Sequence, residues 1–201
     1  LTDEASLPGP ALYLIRHGET EWSLSGRHTG RTDLALTAHG EDRARALRPV
    51  LAAISFARVF TSPLRRATRT CALAGLAASA ETEPDLAEWD YGDYEGLRSS
   101  DIRAARPGWN AYRDGCPGGE SVAQIAARAD RLIDRLRALN GNVALFSHGQ
   151  FGCSLAVRWI GLPVAAGQHL QLDPASIGVL AFNPSHPGLA VIARWNTSAV
   201  G

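Results

Sequence analysis

At 201 residues the chain is long enough for one well-buried α/β domain and too short for two comfortable ones. Lys+Arg and Asp+Glu both total 20, so no global charge draws the molecule to nucleic acid, and no apolar stretch approaches the length that a membrane helix needs. Cys71, Cys116 and Cys153 form no CxxC pair and the six histidines lack metal-ligand spacing, so a reducing, cytoplasmic setting with no metal and no cofactor is expected.

Residues 1–10, LTDEASLPGP, have neither the basic start nor the apolar middle of a secretion signal and read as a loose leader. Residues 11–15 are a strand-like run that passes straight into Arg16-His17-Gly18. Ala44, Leu47, Val50, Leu51 and Ile54 then recur at helical spacing after Thr37, a capping residue. A β-rich run at 57–61 is stopped by Ser62-Pro63, and 64–77 reads as a helix with Pro63 at its first turn. Residues 81–96 hold EPDLAEWDYGDYEG, too acidic and glycine-rich for a regular element, and predict a structured loop after a short strand. A brief helix is expected over 101–109 and a turn at 115–120. Ser121 and Gln124 then make a capping box ahead of the apolar face Val122, Ile125, Ala126, Ala129, Leu132, Ile133, Leu136 and Leu139. Asn140-Gly141 ends that helix, 143–146 is a buried strand, and SHGQ leads into a helix through Leu155, Val157 and Trp159. Residues 170–172, 177–182 and 189–194 are expected to be edge strands. The alternation predicts an α/β fold of one domain over 1–201, three layers (α/β/α) with a mostly parallel sheet covered on both faces.

In such a sheet ligands bind beyond the carboxyl ends of the strands. Three strands here end in related chemistry: Arg16-His17 after LYLI, Arg65-Arg66 shortly after RVFTS, and His148-Gly149 after VALFS. Any one of these alone is more often a solvated surface group. Together they make an anion cradle suited to phosphate, with helix N-termini contributing. A neutral imidazole is a good nucleophile toward phosphorus, and a second, protonated histidine can neutralise charge on the transferring group. The leaving alkoxide needs a proton, for which Glu88 is a candidate. Asp85, Asp90, Asp93 and Glu95 compete, and spacing does not rank them.

These motifs resemble the histidine phosphatase superfamily, the phosphoglycerate-mutase-like proteins. Arg16-His17-Gly18 with ETEW and Thr29-Gly30 is similar to its RHG signature, Ser62-Pro63-Leu64-Arg65-Arg66 to its Ser-x-x-x-Arg motif, Glu88 to its acid-loop glutamate and His148 to its second histidine. The resemblance implies that His17 is phosphorylated, that Arg16, Arg66 and His148 bind the phosphoryl oxygens, and that Glu88 is the acid and later the base. It also implies a substrate side lined by Ser23, His28, Thr29, Gly30, Tyr91 and Gly149, no metal or cofactor, and a small cap at about 97–120 after the acid loop. Ser23 stands where many members have Asn, and Cys153 where many phosphatases have an Arg that would hold a second anion.

The stretch between Glu88 and His148 is short, which favours hydrolysis over the mutase reaction. AEWDYGDYEG and SIGVL are most similar to the branch containing sedoheptulose bisphosphatase and broad-specificity bacterial acid phosphatases, with Trp109, Tyr112 and Arg113 as cap residues that either face a sugar phosphate or pack the cap. Cys153 tilts the expectation toward a monophosphatase. The partner expected is a small phosphate ester, without nucleic acid or membrane, and a dimer is left open. The rivals are a phosphoglycerate mutase, a sugar bisphosphatase, a phosphohistidine protein phosphatase and a phospho-ligand-binding non-enzyme. A dinucleotide fold is disfavoured by the one glycine in residues 12–22.

Overall fold

The computed structural model describes residues 9–199. Most of the stretch expected to be a leader therefore lies outside the described residues. In chain order the elements are β1 (Ala11–Arg16), α1 (Glu21–Ser25), α2 (Ala38–Ala52), β2 (Phe56–Thr61), α3 (Arg65–Leu73), β3 (Ala80–Thr82), α4 (Ser99–Ala105), α5 (Ala111–Asp114), α6 (Val122–Arg137), β4 (Asn142–Ser147), α7 (Gly149–Trp159), β5 (Ser176–Asn183) and β6 (His186–Ser198). Among these residues the strands form a six-stranded sheet in the order β3-β2-β4-β1-β5-β6. β3, β2, β4 and β1 are mutually parallel, and β5 and β6 are antiparallel additions.

The period-two alternation of the central strands feeds two cores. Leu12, Leu14, Val143 and Leu145 point to the face covered by α6 and α7, where Ile125, Leu132, Phe151 and Trp159 are buried. Ile15, Ala144 and Phe146 point to the opposite face with Leu47, Leu51 and Cys71 of α2 and α3. This is the α/β layering expected, with a mostly parallel sheet. The α6 capping box is formed, Ser121 accepting from the Gln124 N–H.

Several boundaries differ from expectation. Val50 is exposed, because the buried face of α2 is set by Ala44, Leu47 and Leu51 and Val50 projects to its side; Ile54 lies past the helix end. α3 stops at Leu73, just before Gly75 takes the left-handed conformation (φ 85°), and Pro63 precedes its N-cap Leu64. The brief cap helix is Ser99–Ala105, and α5 follows it. Residues 177–182 are not at an edge: β5 is hydrogen-bonded between β1 and β6. Residues 170–172 form no strand. Their carbonyls are taken by side chains, Leu172 by the Arg16 guanidinium (2.5 Å) and Gln171 by the Trp195 indole (2.6 Å). No helix among the described residues is long and apolar enough to cross a membrane.

Candidate active site

The carboxyl ends of β2, β4 and β1 lie side by side, and their register carries on past the strands. The His17 N–H donates to the Ser147 carbonyl (3.0 Å) and the Ser62 N–H to the Phe146 carbonyl (2.9 Å). His17 and His148 are thereby brought together, with ring centroids 5.1 Å apart. Beside them opens a cleft of about 300 Å³ lined by Arg16, His17, Ser23, His28, Thr29, Glu88, Tyr91 and Gly149 from the expected set.

His17 Nδ1 is 2.7 Å from the Gly18 carbonyl, which can only accept, so Nδ1 carries the proton and Nε2 keeps its lone pair. Burial first, then the Arg66 and Arg16 charges, hold its pKa well below the ordinary histidine value. The imidazole is therefore neutral. The Gly18 N–H is in turn bonded to Thr70 Oγ1 of α3, which fixes the loop (2.9 Å).

Arg16 donates to Leu172, while its Nε is the one buried side-chain nitrogen or oxygen among the described residues without a hydrogen-bond partner. A buried guanidinium N–H beside a cleft is a donor available to an anionic acceptor. Gly149 lets that guanidinium lie against the start of α7, since a Cβ there would come within 3.2 Å of Arg16 Cζ.

Arg66 is fully buried behind the cleft. It donates through Nε to His148 Nδ1 (3.2 Å) and through its terminal nitrogens to the carbonyls of Thr32 (2.9 Å), Thr29 (3.0 Å) and Gly30 (2.9 Å). Four of its five N–H bonds are so committed, and it acts here as a staple for the 29–32 loop. His148, expected to be protonated, is instead held neutral. Burial is the main cause, followed by Arg66, and the Arg66 bond to Nδ1 requires a lone pair there and leaves Nε2–H to face Ser62 Oγ (2.8 Å).

The structure separates the acid-loop carboxylates that spacing left unranked. Glu88 lines the cleft and accepts three backbone N–H bonds, at Oε1 from Trp89 (2.8 Å) and Phe151 (2.7 Å) and at Oε2 from Gln150 (3.1 Å). Gln150 and Phe151 belong to the first turn of α7, a favourable place for a carboxylate. Asp85 is paired with Arg131 and Arg135, Asp90 with Arg31, Asp93 is exposed, and Glu95 accepts from the N–H groups of Gly30 and Thr32.

Of the expected substrate side, His28 packs on Tyr91 (4.6 Å between centroids) and burial lowers its pKa to about 4. Tyr91 donates to Gln150 Oε1 (2.6 Å), and burial pushes its phenol well up. Ser23 lines the cleft, although its hydroxyl is engaged in the α1 capping box with Thr20. Gly30 does not line it: its N–H goes to Glu95 and its carbonyl to Arg66. Of the cap residues only Tyr112 reaches the cleft; Trp109 is buried with its indole on the Gly115 carbonyl, and Arg113 is paired with Asp114 outside. Cys153 does face the cleft, and burial pushes its thiol up to about 12.

Sequence reasoning missed Gln150, Arg27 and residues 170–172, all of which line the cleft. The first two adjoin motif residues, whereas 170–172 read as an edge strand, and the carbonyl by which Leu172 holds Arg16 leaves no side-chain signal. It also missed Arg128. That α6 guanidinium donates to the carbonyls of Asp85, Ala87 and Glu88, pairs with Glu120 (2.8 Å) and stacks over Phe151 (4.1 Å). Among the described residues no group of three His, Cys, Asp or Glu is placed to hold a metal ion.

The sequence profile of the histidine phosphatase superfamily (branch 1) matches residues 12–197. The chain belongs to that superfamily. It is 43% identical over 185 residues to the acid phosphatase of Mycobacterium tuberculosis, a match that covers 90% of this chain and 91% of the relative. It is 36% identical to the sedoheptulose 1,7-bisphosphatase of Saccharomyces cerevisiae, over 77% of this chain and 69% of the relative. A solved structure of an open reading frame from Mycobacterium tuberculosis superposes with a TM-score of 0.87 at 39% identity, covering 94% of this chain and 98% of the other.

Proposed function

We propose that the protein hydrolyses small phosphate monoesters, sugar phosphates among them, through a phosphohistidine at His17 and without a metal. The observation that carries this reading is a neutral imidazole whose Nδ1–H is tied to Gly18 and whose Nε2 lone pair is left over, beside the unpartnered Nε of Arg16. Nε2 attacks phosphorus as the bond to the ester oxygen breaks. The leaving alkoxide takes a proton from Glu88, whose Oε2 has the one lone-pair site not already accepting an N–H. That proton enters with the substrate, as a phosphate monoester monoanion.

In the second half Glu88 takes a proton from water, the water oxygen attacks phosphorus, and the N–P bond breaks to return neutral His17 and inorganic phosphate. Arg16 and the remaining N–H of Arg66 balance the phosphoryl charge. A bound dianion also favours protonation of His148, which burial and the Arg66 charge oppose. Because His17 stays neutral well below the ordinary histidine pKa, attack persists into the acid range. The name of the most similar relative described above, acid phosphatase, agrees with this.

The cleft reaches solvent past the exposed Gly26 and Arg27, which supports hydrolysis over a mutase reaction that must exclude water. Mixing with a labelled phosphate ester and quenching in alkali should trap acid-labile phosphate on His17, with turnover surviving extensive chelation. Phosphoryl transfer to an added sugar acid in place of water would point to the mutase, and a loss of activity restored by zinc or magnesium would overturn the metal-free mechanism.

A further inference from the structure

We infer that the mouth of the cleft is a second anion subsite built on Arg27, so that the preferred ligands carry a second phosphate or carboxylate besides the group bound at His17. The inference rests on the reading of the inner end as a phosphoryl site. Two guanidinium groups in this cleft have donors to spare, one at each end. The inner one is Arg16, with its orphaned Nε. The outer one is Arg27, which lines the cleft, is exposed, and makes no side-chain hydrogen bond or ion pair among the described residues.

The position of Arg27 is nevertheless fixed. Its N–H donates to the Trp22 carbonyl (2.9 Å), its own carbonyl accepts from Thr29 Oγ1 (3.2 Å), and it bridges to Arg98 across an isolated β-pair. Only the side chain remains adjustable. Among the described residues the acid-loop carboxylates have other partners: Glu88 accepts from backbone N–H groups, Glu95 from those of Gly30 and Thr32, and Asp90 is paired with Arg31.

Cys153 supplies no charge, Arg113 is tied to Asp114 outside the cleft, and Arg158 is bound to Asp130. Cys153 in place of an Arg favours monophosphates, whereas Arg27 supplies a positive charge elsewhere in the same cleft. Because it is exposed, its contribution is that of a screened rim contact, roughly 3–10-fold in affinity.

The test uses non-hydrolysable ligands, so that it does not depend on turnover. Binding of propylphosphonate, of propane-, butane- and hexane-bisphosphonate and of a phosphonocarboxylate of matching length is measured by calorimetry on the wild-type chain, Arg27→Gln and Arg27→Lys. The wild type should bind at least one doubly anionic ligand roughly 3–10-fold more tightly than the monophosphonate, at low salt. Arg27→Gln should erase that ratio and Arg27→Lys keep part of it, and the ratio should shrink as salt is raised. The ligand type with the larger Arg27-dependent gain names the second group. A ratio of one in the wild type, or a ratio that survives in Arg27→Gln, overturns the subsite while leaving the phosphoryl site standing. Failure of the monophosphonate to bind would instead sink the phosphoryl site itself.

Discussion

The inner and outer ends of the cleft are built in different ways. At the inner end, Arg16, His17 and His148 sit at the carboxyl ends of two neighbouring core strands, Arg66 on the first turn of α3, and Glu88 against the first turn of α7. Most of their polar atoms are spent on one another, on Ser62 Oγ or on backbone groups, and Arg16 Nε, the His17 Nε2 lone pair and one lone-pair site of Glu88 Oε2 are left over. The outer end is contributed by the loop after α1, by Tyr91, by Tyr112 of α5 and by the irregular stretch 170–172, and it holds Arg27, whose side chain has no ion-pair partner among the described residues. Reaction chemistry needs geometry held to fractions of an ångström, which rigid elements supply. Substrate choice tolerates side chains on loops and can change with them.

The largest effects should come from the inner end. His17→Ala is expected to lower kcat by about 10⁴-fold or more and to abolish trapped phosphate, whatever the ester. Near-normal turnover would break the comparison outright, because the most constrained group would then be dispensable. Glu88→Gln should depress kcat by roughly 10²–10⁴ on an alkyl phosphate and far less on p-nitrophenyl phosphate, whose phenolate leaves without a proton. Asp90→Asn and Asp93→Asn, compared at the same pH, should show no such split between substrates. An equal loss on both esters for Glu88→Gln would reassign it to positioning.

A smaller loss should follow from loosening the support of the inner end without touching it. Arg128 ties three acid-loop carbonyls and Glu120 to α6. Arg128→Met is expected to cost up to about 10² in kcat through displacement of Glu88, with the same leaving-group split as Glu88→Gln. Arg128→Lys should recover part of it. A fall in Tm with kcat and the split unchanged would show that the network only stabilises the fold.

The mildest test belongs to the outer end and reads stability. The folded pKa of His28 is about 4 against an ordinary 6.5, so the unfolded chain takes up the proton first as the pH falls. The stabilisation from a neutral His28 is present above pH 6.5 and is lost between there and about 4, amounting to about 2 kcal/mol between pH 7 and pH 5. His28→Gln should flatten the pH dependence of urea unfolding by that amount. The slope that remains should come largely from His17 and His148, whose pKa values are depressed in the same sense. An unchanged slope would mean that His28 is more hydrated than its packing on Tyr91 and Trp109 implies.

By itself the sequence determined the layers, the order of the central elements and the residues gathered at the inner end. Period-two alternation in β1 and β4, the Ser121 capping box and the apolar stripe of α6 are local patterns, and a strand that ends in Arg16-His17 carries its chemistry at a place the fold makes predictable. The motif resemblance points to Glu88, but spacing does not rank it against Asp85, Asp90 and Glu95; the tertiary structure separates the four by partners that lie far along the chain. It decided, too, that Arg66 and Gly30 serve the loop behind the cleft, that burial and Arg66 hold His148 neutral, and that residues 170–172 offer carbonyls to side chains in place of joining a strand. Each of those outcomes depends on burial and on hydrogen bonds between residues remote in sequence. Neither leaves a periodicity or a spacing to read.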